Sequence, residues 1–283
     1  MKQSIATIIL LAFSFSLFSQ QDSIVFSTTQ WETQNIAPGV VWKHHHFNNK
    51  DLFNSNQNIN IVEIKLKKKR TIALACEAKT LKPTSEFGKQ TSAIVAINGN
   101  FFDVKNGGSV DYIKQNDSIV SNNRLWPNNI RARHQQAALV IKKGKLHIAK
   151  WDSSANWEST LNAANVMNSG PLLLWQGNRQ PLDTGEFNHA RHPRTAIACL
   201  GKKRVVFITV DGRNEQAAGM SLYELANIIK WLKARDGINM DGGGSTTMYI
   251  NNQPDNGVVN YPTDNKKWDH AGERKVANVI IVK

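Results

Sequence analysis

Short apolar runs recur along the chain between turns rich in Asn, Gly and Pro, and this pattern predicts a strand-rich protein. Residues 59–66 alternate apolar and polar, as a half-buried strand does, with residues 71–78 as a partner strand. Residues 93–97 are continuously apolar, the mark of a strand covered on both faces, and residues 205–210 read as another buried strand. Residues 137–141, 145–149, 165–175, 196–198 and 276–282 extend the same pattern. One segment has helical spacing instead. Leu222, Leu225, Ala226, Ile229 and Leu232 recur with a period near 3.6, Ser221 and Glu224 form a capping box, and Gly237 supplies a stop. A strand before and after that helix makes a βαβ unit, which places Asp211 and Asp241 at the same end of parallel strands. The expected fold is therefore α/β to α+β, a strand-rich mixed sheet core with few helices and one βαβ unit around residues 221–235. Residues 104–134 and 183–192 read as polar loops, of which the first is long enough to suggest a functional role.

At 283 residues, 41% hydrophobic and 20% charged, the chain is globular and long enough for a sizeable core. A formal net charge of +13 favours anionic partners, phosphorylated glycans or acidic polysaccharide among them. No helix-turn-helix, aromatic RNA-binding motif or Cys/His finger appears, so no nucleic-acid partner is expected. Lys2 followed by the apolar residues 5–18 reads as a secretory signal spanning residues 1–20, too short for a comfortable membrane span. The expected organisation is that signal, then residues 21–89 as an arm and strands packed on the same domain, then residues 90–283 as the core. The protein is expected outside the cytoplasmic membrane, secreted or periplasmic, with no stable span after cleavage. Cys76 and Cys199 lie in apolar runs and are expected as buried free thiols. His44, His45 and His46 alternate across a strand and so form no single ligand cluster. Nothing in the pattern sets an oligomeric state.

Candidate chemistry gathers at strand ends. An apolar strand runs into Asp241, then Gly242, Gly243 and Gly244, then Ser245 and Thr246. Three successive glycines need a geometric reason, and one is a turn whose N–H groups cradle an anion. A plain strand–turn–strand connection is the other reading. Asn98 ends the buried strand at 93–97, where α/β proteins often place ligand groups. Arg194 opens another buried strand, so its guanidinium meets either a bound anion or a structural carboxylate. No Walker A motif, Gly-x-Ser-x-Gly elbow or His-Glu-x-x-His pair is present.

Together these stretches resemble the phosphodiester glycosidase family. The resemblance rests on Ala96-Ile97-Asn98-Gly99-Asn100-Phe101-Phe102, Asn168-Ser169-Gly170-Pro171, His192-Pro193-Arg194-Thr195-Ala196-Ile197 and Val210-Asp211-Gly212-Arg213 with Gly219. Asn239-Met240-Asp241-Gly242-Gly243-Gly244-Ser245-Thr246-Thr247 and Arg274 complete it. It implies hydrolysis of the sugar–phosphate bond of a sugar-1-phosphodiester, with an anionic phosphorylated glycan as substrate. Holding the phosphate then falls to Arg194 and the Gly242–Thr246 turn, with Arg274 assisting, while Asn98 bonds a sugar hydroxyl. Asp241 and Asp211 are the expected catalytic carboxylates, with Glu215 in reserve. No cofactor is required by this chemistry, although Asp211 and Asp241 could share Ca²⁺ or Mg²⁺ with a phosphate oxygen. The alternative is a non-catalytic glycan-binding or exopolysaccharide-assembly protein using the same pocket.

Overall fold

The structure, a computed structural model, describes residues 20–66 and 70–283; the expected signal segment lies almost wholly outside them. Seventeen strands follow one another among the described residues. They are β1 (Glu32–Ala37), β2 (Val40–Leu52), β3 (Ser55–Lys65), β4 (Ile72–Cys76), β5 (Val95–Asn98), β6 (Ile113–Gln115), β7 (Ser118–Ser121), β8 (Ala137–Lys142), β9 (Lys145–Lys150), β10 (Asn165–Asn168), β11 (Leu172–Trp175), β12 (Asn178–Arg179), β13 (Arg194–Cys199), β14 (Arg204–Val210), β15 (Asp236–Asn239), β16 (Met248–Ile250) and β17 (Asn278–Val282). Two helices matter to the architecture, α1 (Thr84–Gln90) and α2 (Leu222–Trp231).

The strands form three sheets. The largest runs β1-β2-β3-β14-β13-β15-β11-β12, a second runs β7-β6-β10-β8-β9, and a third runs β16-β5-β17-β4. Strand-rich architecture with few helices is therefore what the chain adopts. Every neighbouring pair is antiparallel, and β14 and β15 run parallel because β13 lies antiparallel between them. The strand–helix–strand unit thus skips one strand. Asp211 and Asp241 still follow strands that end at the same edge.

Alternation explains the layering. In β13 and β14, Ile197, Cys199, Val205 and Phe207 face the core shared with the other sheets. Ala196, Ala198, Val206, Ile208 and Val210 face α2, with Phe26 of the helical residues 20–28 in the same cluster. Both faces are covered, hence the largely apolar runs. The N-terminal strands belong to the same sheet, since β3 pairs with β14 over seven residues from Lys65–Arg204 to Ile59–Val210.

Helix α2 starts as expected. The Ser221 hydroxyl accepts the Glu224 N–H, and Glu224 accepts the Ser221 N–H at 2.8 Å. Such a cap is worth about 1 kcal/mol, whereas burying each of Leu222, Leu225, Ile228 and Ile229 is worth roughly 1.5–3 kcal/mol, so packing holds the helix. It ends at Trp231 rather than near residue 235, with Lys233 in the left-handed region at φ 58°. Gly237 is not the stop. It sits inside β15, where a Cβ would lie 2.6 Å from Ile229 Cγ2, so it lets helix and strand approach.

Cys76 and Cys199 are free thiols, the first half-buried and the second buried, and burial pushes both up to about 12. No helix among the described residues is long and apolar enough to cross a membrane.

Candidate active site

The glycine turn is the bridge between two sheets. It leaves β15 of the large sheet and enters β16 of the third sheet, so Asp241 sits where the two sheets' strand ends meet. Its backbone is pinned from both sides. The Asp241 N–H donates to the Gly99 carbonyl at 3.0 Å, and Asn98 Nδ2 donates to the Asp241 carbonyl at 2.7 Å. Asn98 Oδ1 in turn accepts from Thr195 Oγ1 at 2.7 Å and from the Thr247 N–H at 3.2 Å. Asn98 is fully buried, so it clamps three segments together instead of reaching a sugar hydroxyl.

A cavity of about 200 Å³ opens over this turn, lined by Phe187, His192, Arg194, Arg213, Asp241, Gly242, Gly243, Gly244 and Arg274. Three guanidiniums and one carboxylate therefore face one small space. At Gly242 a Cβ would lie 2.7 Å from the Pro193 carbonyl oxygen, and at the next two glycines it would meet the charged wall. At Gly243 φ is +61°, and a Cβ would lie 3.0 Å from Arg213 Nη2. At Gly244 a Cβ would lie 2.2 Å from Asp264 Oδ1 and 2.5 Å from Arg274 Nη2. A side chain at Gly244 would disturb the Asp264–Arg274 pair beside the cavity.

The turn is less of an N–H cradle than expected. Its Gly243 N–H donates to the Pro193 carbonyl at 2.8 Å and its Gly242 N–H to Asp241 Oδ1 at 2.9 Å. The Ser245 and Thr246 N–H groups close the 3₁₀ turn on Gly242 and Gly243. Those donors are spent within the protein, so an anion would be held mainly by arginine side chains. Ser245, Thr246 and Thr247 lie buried behind the glycines, and their hydroxyls make no hydrogen bond among the described residues.

Among the described residues Arg194 is paired to no carboxylate. Its Nε donates to the Met220 carbonyl at 2.8 Å, and its Nη2 to the Phe187 and Ala190 carbonyls at 2.7 and 2.9 Å. The Phe187 ring packs against its guanidinium, 4.8 Å from centroid to Cζ. Burial, reinforced by Arg213, lowers Arg194 to about 10, which leaves it a cation at neutral pH. Arg194 both knits the 187–190 segment to the sheet and presents charge to the cavity. Replacing it by Lys is expected to cost about 1–3 kcal/mol of stability, because one ammonium cannot serve the three carbonyls in this fork geometry. Phosphate affinity should fall with it; unfolding in denaturant and titration with a sugar phosphate would read the two losses separately.

Arg274 is held by Asp264, with Nε 3.1 and 3.0 Å from the two carboxylate oxygens and Nη2 2.6 Å from Oδ1. Arg213 and His192 also line the cavity, and both lie within the Val210–Arg213 and His192–Ile197 stretches that carry the family resemblance. Arg213 Nη2 lies 3.3 Å from His192 Nδ1, and a guanidinium can only donate, so Nδ1 accepts and Nε2 carries the proton. Burial, then Arg194 and Arg213, lower His192 and keep it neutral.

Asp241 is half-buried, and burial raises its carboxyl to about 6. The Ser245 hydroxyl, the Gly242 N–H and Arg274 oppose the rise, while Asp111 adds to it. Ser245 lies near enough to favour the charged form, short of a formed hydrogen bond.

Asp211 and Glu215 do not join Asp241. Asp211 is fully enclosed: Asn58 Nδ2 donates to Oδ2 at 2.7 Å, and Asn260 Nδ2 and the Tyr261 N–H donate to Oδ1 at 2.8 and 3.0 Å. Burial raises it, against the pull of those donors. Its position braces the loop after β16 against β3. The Glu215 side chain is exposed on the loop after β14 and lines no part of the cavity. A divalent ion shared by Asp211 and Asp241 does not fit either, since N–H donors surround Asp211 and three guanidiniums surround the cavity. Among the described residues no group of three or more His, Cys, Asp or Glu converges as a ligand set.

A second cavity of about 310 Å³ shares the Phe187 wall and is lined by Phe101, Trp126, Ala132, Arg133, His134, Gly170, Pro171, Asp183 and Asn188. The loop at 104–134, expected as a polar excursion, supplies part of this wall.

One strand-end acid, three clustered guanidiniums and an adjoining aromatic cavity make a site suited to an anion. The family model described as Phosphodiester glycosidase matches residues 91–283, and the chain belongs to that family. Among curated proteins it is 25% identical to bovine N-acetylglucosamine-1-phosphodiester alpha-N-acetylglucosaminidase over 225 residues, 73% of this chain and 40% of the relative. The human protein of that name is 24% identical over 225 residues, 73% of this chain and 41% of the relative. The chain thus spans about two fifths of the length of these relatives. Among solved structures, the zebrafish enzyme's catalytic domain, auto-inhibited by its pro-peptide, matches at TM-score 0.68 and 21% identity, covering 90% of this chain and 88% of that one. A hypothetical protein from Synechocystis matches at TM-score 0.64 and 15% identity, covering 90% and 64%. These two establish likeness of fold.

Proposed function

We propose that this protein hydrolyses sugar-1-phosphodiesters at the bond between the anomeric carbon and the phosphate oxygen. The observation that carries the reading is the single cavity in which Asp241 faces Arg194, Arg213 and Arg274. Guanidiniums suit a phosphodiester and then the phosphomonoester that leaves. Asp241 suits a positively charged anomeric centre or the water that attacks it. A phosphate monoester is a much weaker base than an alkoxide, so little acid help is needed at the leaving oxygen. The His192 Nε2–H adds a neutral donor to the same wall. Relatives named as acting on N-acetylglucosamine-1-phosphodiesters support the sugar-1-phosphodiester class, and the apolar residues 5–18 behind Lys2 support an exported enzyme acting on phosphorylated glycans. Purified protein offered a panel of sugar-1-phosphodiesters, with simple α-glycosides of the same sugars alongside, is expected to release the reducing sugar from the diesters alone. Turnover of the glycosides at equal rate, or binding of diesters without any turnover, would overturn the proposal.

A further inference from the structure

With Asp211 and Glu215 outside the cavity, Asp241 is the one carboxylate on the wall beside the three guanidiniums. Hydrolysis at an anomeric carbon still needs a group to take the proton of the attacking water. Two imidazoles line the paired cavities. His192 is committed as a donor: its Nδ1 accepts from Arg213, and two guanidiniums stand against its protonation.

His134 is set up in the opposite sense. Its Nδ1 lies 2.9 Å from each oxygen of Asp111, a carboxylate with no exposed surface. Gln135 Nε2 donates to Asp111 Oδ1 at 3.0 Å and fixes that carboxylate in place. An imidazole whose Nδ1–H is held by a carboxylate offers Nε2 as a base, the arrangement that orients a general base elsewhere in enzymes. The His134 ring is part of the wall of the larger cavity and packs at a tilt of 48° against Phe101, with centroids 4.7 Å apart. Phe101 meets Phe187 at 6.3 Å, and Phe187 carries the Arg194 guanidinium. From His134 to the arginine wall is therefore one continuous aromatic surface. Other charges facing His134 are Arg133 and Asp183 in the same wall, which pair with each other at 3.6 Å.

We propose that His134 is the general base of the hydrolysis and that Asp111 is its positioning residue. This rests on the sugar-1-phosphodiesterase reading above. The water oxygen bonds to the anomeric carbon as the bond from that carbon to the phosphate oxygen breaks. The leaving phosphomonoester takes the bonding pair, and the water proton passes to His134 Nε2 and then to solvent. Asp241 faces the developing positive charge at the anomeric carbon.

The test is steady-state kinetics of His134→Gln, His134→Ala and Asp111→Asn on whichever sugar-1-phosphodiester the wild type hydrolyses. His134→Gln should lose roughly 10²–10⁴ in kcat with little change in KM, and its pH–rate profile should lose one limb. Added imidazole should restore part of the kcat of His134→Ala, a rescue no structural role produces. Asp111→Asn should lower kcat and alter the same limb. Wild-type kcat and an unchanged pH profile in His134→Gln, while the wild type is active, would overturn this inference and leave the proposed function standing. A wild type inactive across the whole panel would overturn both.

Discussion

Asp241→Asn is expected to lose turnover by roughly 10²–10⁴ or more and, at neutral pH, to gain stability. The two effects share a cause. Burial raises the Asp241 carboxyl from its ordinary 3.8 to about 6, so the folded protein holds that proton more tightly than the unfolded chain does. The stabilising contribution of the protonated form is complete below about pH 4 and is lost as pH rises through about 6. Above that, the wild type carries an ionised, partly desolvated carboxylate. Asn removes the charge and keeps the hydrogen bond to the Gly242 N–H. A shift of this size corresponds to about 3 kcal/mol at most. Because Asp241 is partly open to water, a gain of about 1–2 kcal/mol is the realistic expectation. Unfolding curves at pH 4 and pH 8 would show it: the variant should gain on the wild type only at the higher pH. Equal stability at both, with turnover intact, would remove Asp241 from the chemistry.

Asp211→Asn should behave in the opposite way. Three donors converge on its carboxylate, from Asn58 and Asn260 in the interior and from the part-buried Tyr261. An amide cannot accept all three, and at least one N–H would face another N–H. Leaving buried donors unsatisfied costs about 1–3 kcal/mol each, so a loss of about 2–5 kcal/mol is expected. Turnover by the fraction that remains folded should fall far less than in Asp241→Asn. A stable, inactive Asp211→Asn would instead make Asp211 a participant in the reaction.

These two acids show how far the chain can be read unaided. Both follow buried strands, both precede glycine, and both lie at the same edge because a helix returns the chain between them. That much was legible in local pattern. Which one meets solvent is decided by distant residues. Asn260, after β16, returns to cover Asp211, while the turn after Asp241 crosses to another sheet and leaves its carboxylate on a cavity wall. Local spacing carries no trace of that difference. The glycines were recognised for the right reason, an unusual backbone need, but the need is room for Pro193, Arg213 and the Asp264–Arg274 pair more than N–H groups aimed at an anion. Arg194 was placed at a core edge, yet its partners are three carbonyls and a ring, an arrangement no sequence motif marks. Gly237 read as a helix stop because a glycine after a helix usually is one; close helix–strand packing won instead. His134 and Asp111 went unremarked because 23 residues separate them and the intervening loop looked merely polar.

Hydrolysis in ¹⁸O-labelled water addresses the central claim most directly. If Asp241 and the arginine wall act on the anomeric carbon, the label must enter the sugar at that carbon, and the released phosphomonoester must carry none. Mass spectrometry of both products reads this in one reaction. Label in the phosphomonoester would show attack at phosphorus and contradict the account.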